Sequence, residues 1–135
     1  MNEPTTSANT ASGARLWTAR ILSAFPILVL ALSASLKLLH NPGFQQKWET
    51  VMGYPESLLT PIGLLEITCM LVYAVPRTRI LGAILVTAYL GGATATHVRI
   101  ADPPIVPIVL GIAAWLGLYL SDERIRALVP LRSPR

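Results

Sequence analysis

Five side chains in this sequence set polar or ionisable chemistry inside an apolar neighbourhood: Lys37, Glu66, Tyr89, His97 and Arg99. Glu66 is the sharpest case, because it lies near the middle of "PIGLLEITCMLVYAV", residues 61–75. A carboxyl group there can handle a proton, contact a ligand or pair with a cation. A charged one costs about 2.5–3.5 kcal/mol at the centre of a membrane span, so an acid in that place is a functional candidate by default. The bland alternative is a neutral acid that donates its hydrogen to Tyr89, Thr87 or a backbone carbonyl. Both readings stand on the sequence alone. One acid without a second carboxylate is no catalytic dyad, so no catalytic residue is assigned. Cys69 is the lone cysteine and reads as a small core residue, and His40 and His97 are far apart, so neither a disulfide nor a metal site is expected.

The elements that carry these groups follow from composition and hydropathy. The chain has 135 residues, 53% of them hydrophobic and 13% charged, with a mean hydropathy of +0.55. Soluble domains carry about a quarter charged residues. The net charge of +4 comes mainly from Arg residues beside apolar runs. That pattern suits a membrane protein and argues against nucleic-acid binding, which needs a basic face on a soluble fold.

Four apolar runs are expected to be spanning helices, at about 17–39, 58–75, 80–98 and 105–120. About 20 apolar residues cross the hydrocarbon of a bilayer. The first run is too long for a signal-peptide core and is followed by three more, so it is expected to be retained. Residues 1–14 read as a disordered cytoplasmic tail, 15–132 as one transmembrane domain and 133–135 as a short cytoplasmic tail. The expected fold is therefore an all-α membrane protein: four transmembrane helices in an antiparallel bundle, with a short amphipathic interfacial helix between the first two.

Charge sets the expected orientation. Arg15, Arg20, Arg77, Arg79, Arg124, Arg126, Arg132 and Arg135 fall on one side of such a bundle, against Lys37, Lys47 and Arg99 on the other. Basic residues favour the cytoplasmic side, which places both termini there. In the loop "NPGFQQKWETVMGYPES", Phe44, Trp48, Val51 and Met52 share one helical stripe, with Trp48 and Tyr54 as interfacial aromatics. In the third run, Ala83, Thr87, Gly91 and Ala95 recur every four residues, beside a row of Ala88, Gly92 and Thr96. Small residues let helix backbones approach in lipid, so this stripe is either the bundle centre or a dimer face.

Counting inward at about 1.5 Å per residue places Glu66, Tyr89 and Trp115 in one layer, with Thr87. Lys37 and His97 lie nearer the boundary. Lys37 can extend outward to the interface or turn inward, where reaching Glu66 directly needs a helix tilt or a bridging water. Anchoring at the interface is the simplest role for His97.

The segments "GYPESLLTPIGLLEI", "LVYAVPRTRILGAILVTAYLGGATATHVR" and "AWLGLYLSDERIRALVPLR" together resemble the DoxX-like family of small bacterial four-span membrane proteins. The third run resembles a "GYLGGAxATHVR" motif, with Ala88 where Gly is common. The resemblance implies a bacterial inner-membrane protein akin to accessory subunits of quinol oxidase and thiosulfate:quinone oxidoreductase complexes. It also implies a polar site at Glu66, His97 and Arg99, to which depth adds Tyr89 and Lys37. No haem, flavin or iron–sulfur ligand pattern accompanies it. The expected function is a binding or accessory module, for a quinone or other lipophilic molecule or for a membrane redox partner. The alternatives are a subunit of a quinone-linked oxidoreductase, or a small proton-coupled transporter working as a homo-oligomer. A lone enzyme is disfavoured, because no redox centre is recognisable.

Overall fold

The computed structural model describes residues 6–129. Within them the chain is helical, with six α-helices, one 3₁₀ turn and no strand. Helix α1 covers Thr6–Leu38, α2 Pro42–Thr50, α3 Leu59–Ala74, α4 Arg79–Arg99, α5 Ile105–Ser121 and α6 Glu123–Leu128. The 3₁₀ turn Glu56–Leu58 leads directly into α3.

Most boundaries follow local chemistry. Asn41 caps α2, its side-chain oxygen accepting from the Phe44 amide at 3.2 Å, with Pro42 in the first turn where no amide hydrogen is needed. After α3, Pro76 stops the helix, and the Thr78 hydroxyl donates to the freed Val72 carbonyl at 2.8 Å. Helical backbone over residues 6–14 departs from the expected irregular tail. No proline interrupts that stretch, so the helix nucleated in the apolar run propagates back through it. Residues 1–5 and the expected tail at 133–135 lie outside the described residues. Helix α6 was also unexpected in the sequence; the Asp122 carboxylate caps it by accepting from the Arg124 amide at 2.8 Å.

Three segments are long and apolar enough to cross a membrane: Gly13–Leu38, Glu56–Ala74 and Arg79–Arg99; the apolar helix Ile105–Ser121 is shorter, at 17 residues. The four apolar helices α1, α3, α4 and α5 close into a ring in which α1 packs on α3 and α5, and α4 packs on the same two. Leu30, Met70, Tyr73, Val86, Leu110 and Leu118 form the centre of the core, with Cys69 buried among them. Large apolar side chains such as Leu28, Leu32, Leu64, Leu81, Ile84 and Ile112 point outward. In water such a surface would drive aggregation; in lipid it is solvated.

Tyr73 is fully buried, and its hydroxyl donates to the Ala114 carbonyl at 2.9 Å, tying α3 to α5. Tyr73→Phe is expected to lower stability by about 1 kcal/mol, the usual net worth of one such bond. Thermal unfolding of the purified protein measures it, and an unchanged midpoint would remove this tie from the account.

The small-residue stripe of α4 divides. Ala83 is buried in the core, but Thr87, Ala88, Gly91, Gly92 and Ala95 are exposed, and a Cβ at Gly91 or Gly92 would touch nothing. Beyond Ala83 the stripe is therefore not the packed centre of this chain. The backbone approach it was expected to allow occurs elsewhere, at Gly63, Gly82 and Gly117.

Candidate functional site

The floor of the candidate site is a buried ion pair. Lys37 Nζ lies 2.7 Å from Glu66 Oε2, with the two residues 4% and 1% exposed. Gly63 makes this contact possible. A Cβ there would meet the Leu38 side chain at 3.0 Å and Lys37 Cβ at 3.2 Å, so its absence lets the end of α1 settle on the start of α3. That approach supplies the reach that counting depth along separate helices does not. Glu66 therefore faces an ammonium group, with Tyr89, one of its expected partners, beside it in the same cavity.

Lys37 is held from further directions. It donates to Ser33 Oγ at 2.6 Å, one helical turn back, and its Nζ lies 5.2 Å from the centre of the Phe44 ring. Two of its three N–H donors are thus committed to oxygen atoms, and the third is left to the ring or to a guest. Sequence reasoning missed Ser33, although its i−4 spacing from Lys37 on one helical face was the available signal.

Above the pair lies a cavity of about 470 Å³, to which all five helices α1–α5 contribute. Val29, Ile62, Leu65, Val106 and Leu110 make apolar walls, and Tyr89 and His97 join Lys37 and Glu66 in the lining. The roof comes from α2 and the residues after it. Phe44, Trp48, Met52 and Tyr54 line the cavity, while Val51, expected on the same stripe, is exposed. Trp48 is buried between Phe44, at 6.0 Å between ring centres, and Tyr54, at 5.1 Å, and its Nε1–H donates to the Pro55 carbonyl at 3.2 Å.

Arg99 does not line the cavity; it fastens the roof. Its Nη2 donates to the Met52 carbonyl, and its guanidinium lies 5.0 Å from the centre of the Tyr54 ring. The Tyr54 and Thr96 hydroxyls are 3.0 Å apart, making a second tie between roof and α4. Gly53, at φ +68°, supplies the left-handed turn between α2 and Tyr54.

His97 has a partner that sequence reasoning did not assign. Its Nδ1 lies 2.8 Å from Asp102 Oδ2. The Asp102 amide also donates to the His97 carbonyl at 3.0 Å, across a turn in which Ala101 takes φ 56°. The expected layer of Glu66, Tyr89 and Trp115 is divided as well. Glu66 and Tyr89 share this cavity, whereas Trp115 Nε1–H donates to Thr87 Oγ1 at 2.7 Å and lines a separate apolar groove of α4, α5 and α6. Thr87 in turn donates to the Ala83 carbonyl at 2.7 Å, so its hydroxyl is engaged away from Glu66.

A sequence model of the DoxX-like family matches residues 21–117. The chain belongs to the DoxX-like family. The match runs from α1 into α5 and includes every residue that lines the cavity. No curated protein and no solved structure matches this DoxX-like protein. Family membership and the long apolar helices make it a membrane protein. Among the described residues, no group of three or more His, Cys, Asp or Glu side chains is placed to hold a metal ion.

Proposed function

We propose that this DoxX-like protein is a binding or accessory module in the bacterial inner membrane, whose cavity takes a quinone or another lipophilic small molecule. The cavity above the buried Lys37–Glu66 pair carries this reading. Its volume falls within the usual range of small-molecule sites, about 300–1,000 Å³, and its apolar walls with few convergent polar groups are what such sites need. The pair is neutral as a unit, which favours an uncharged guest. A carbonyl oxygen could accept from the remaining Lys37 N–H, and a flat ring could stack under Phe44 and Trp48.

In this reading α1, α3, α4 and α5 cross the bilayer as an antiparallel four-helix bundle, with both termini cytoplasmic. Helix α2 then lies at the far interface, as a lid over the cavity. The outward small-residue face of α4, at Gly91 and Ala95, favours association with a second copy or with a quinone-linked redox subunit.

Gly92 offers a clean test. It lines the cavity, yet a Cβ there would meet nothing within 4 Å, so Gly92→Leu adds bulk at the cavity wall with room for at least its first side-chain carbon. Native mass spectrometry from lipid nanodiscs is expected to show a small molecule on the wild-type protein and at least a tenfold lower occupancy on Gly92→Leu. Equal occupancy in both, or none in either after loading with a short-chain quinone, would end this reading.

A further inference from the structure

The His97–Asp102 pair is unused by the reading above, and its geometry carries a statement about which guest the cavity prefers. The turn that ends α4 brings these side chains together. The Asp102 amide donates to the His97 carbonyl, and Ala101 adopts a left-handed φ of 56°, which is unfavourable for any residue with a Cβ. The turn therefore brings Asp102 to His97, although its side chain is still 45% exposed. A carboxylate 2.8 Å from Nδ1 keeps the hydrogen on that nitrogen. In the neutral ring, Nε2 is then a hydrogen-bond acceptor. Among the described residues no protein group engages it, and the imidazole lines the cavity.

We infer that His97 Nε2 is the cavity's acceptor for a guest hydroxyl, so that the preferred ligand is a phenol or hydroquinone rather than a molecule with carbonyl oxygens alone. The guest would accept from Lys37 at one oxygen and donate to His97 from its hydroxyl. Tyr89 lines the cavity at its Glu66 end, about two helical turns from His97 along α4, and the charged and titratable groups nearer His97 are already occupied. Lys37 of α1 faces Glu66 of α3, Arg99 is spent on Met52 and Tyr54, and the Tyr54 hydroxyl is beside Thr96. The cavity-lining residues of α5, Val106, Pro107 and Leu110, bring no titratable group. Asp102 acts as a positioning residue, because it touches the imidazole and does not line the cavity.

This inference rests on the cavity reading, and one titration separates the two. The probes are a short-chain alkyl hydroquinone kept reduced, its dimethyl ether and the matching quinone, followed by quenching of tryptophan fluorescence on the full-length protein in nanodiscs. The hydroquinone is expected to bind about tenfold more tightly than its dimethyl ether, the worth of one buried hydrogen bond. His97→Phe is expected to abolish that preference while leaving the ether unchanged. Asp102→Ala is expected to reduce the preference severalfold by releasing the tautomer. Equal binding of hydroquinone and ether, or a preference that survives His97→Phe, overturns the inference and leaves the cavity reading intact. If none of the three probes binds, both fall. Should His97→Phe fold poorly, the ether-to-hydroquinone ratio on the wild-type protein decides alone.

Discussion

Lys37→Met alone, or Glu66→Leu alone, is expected to destabilise the protein by about 3–5 kcal/mol, because either change leaves one buried charge without its partner. Each side chain is almost fully enclosed, and the direct contact is 2.7 Å, so neither water nor lipid headgroups can replace the missing group cheaply. The double variant Lys37→Met/Glu66→Leu removes both charges and is expected to recover most of the loss. Paired charges and a well-packed apolar pair of similar volume are often of comparable stability. Denaturation of the wild-type protein, both single variants and the double variant in detergent gives the coupling directly. Single variants that unfold like the wild type, or losses that simply add in the double variant, would show that the two groups do not depend on one another.

Gly82→Ala is expected to be comparably severe for a different reason. A Cβ at Gly82 would run into the Cα and nitrogen of Tyr73 and the carbonyl carbon of Val72, all of which are backbone atoms. No side chain can rotate aside, so α3 and α4 must separate. Separation also disturbs the Tyr73 hydroxyl on Ala114, the link to α5. The cost is set at the upper end for overpacking, about 3 kcal/mol, with a lower yield of folded protein. Gly92→Ala, ten residues along the same helix and in open space, is the matched control and is expected to be near neutral. Two similar melting points would mean that the α3–α4 approach is looser than described.

Much of the helix layout was legible in the sequence. Apolar runs, the prolines after α3 and before α5, and the turn residues located the ends of α3, α4 and α5 within a few residues. The burial of Glu66 was legible too, because an acid inside a long apolar run must face protein. Lys37 was among its candidate partners, but the direct contact was not fixed, since hydropathy gives depth along a helix but not how closely two helices approach. That distance was set by Gly63, whose missing side chain is silent in any periodicity. The α4 stripe left two placements open for the same reason: small residues permit close packing without requiring it, and within this chain Gly91 and Gly92 are in open space. Asp102 was missed as the partner of His97 because "RIADPP" reads as a plain turn, whereas the left-handed Ala101 folds it back. Helix α6 was obscured by the charged "SDERIR" segment, which looks like a tail until Ile125 is seen buried in the core.

The ammonium of Lys37 also bears on how the molecule is made. Synthesis releases α1 well before α3, so for some seconds the lysine has no carboxylate to answer it. During that interval the favourable place for its charge is the water at the bilayer surface, which the flexible side chain can reach only if α1 rides high. Arrival of Glu66 gives the lysine a reason to descend. The first helix then settles late, once α3 supplies its carboxylate, and maturation proceeds by the pairing of α1 with α3.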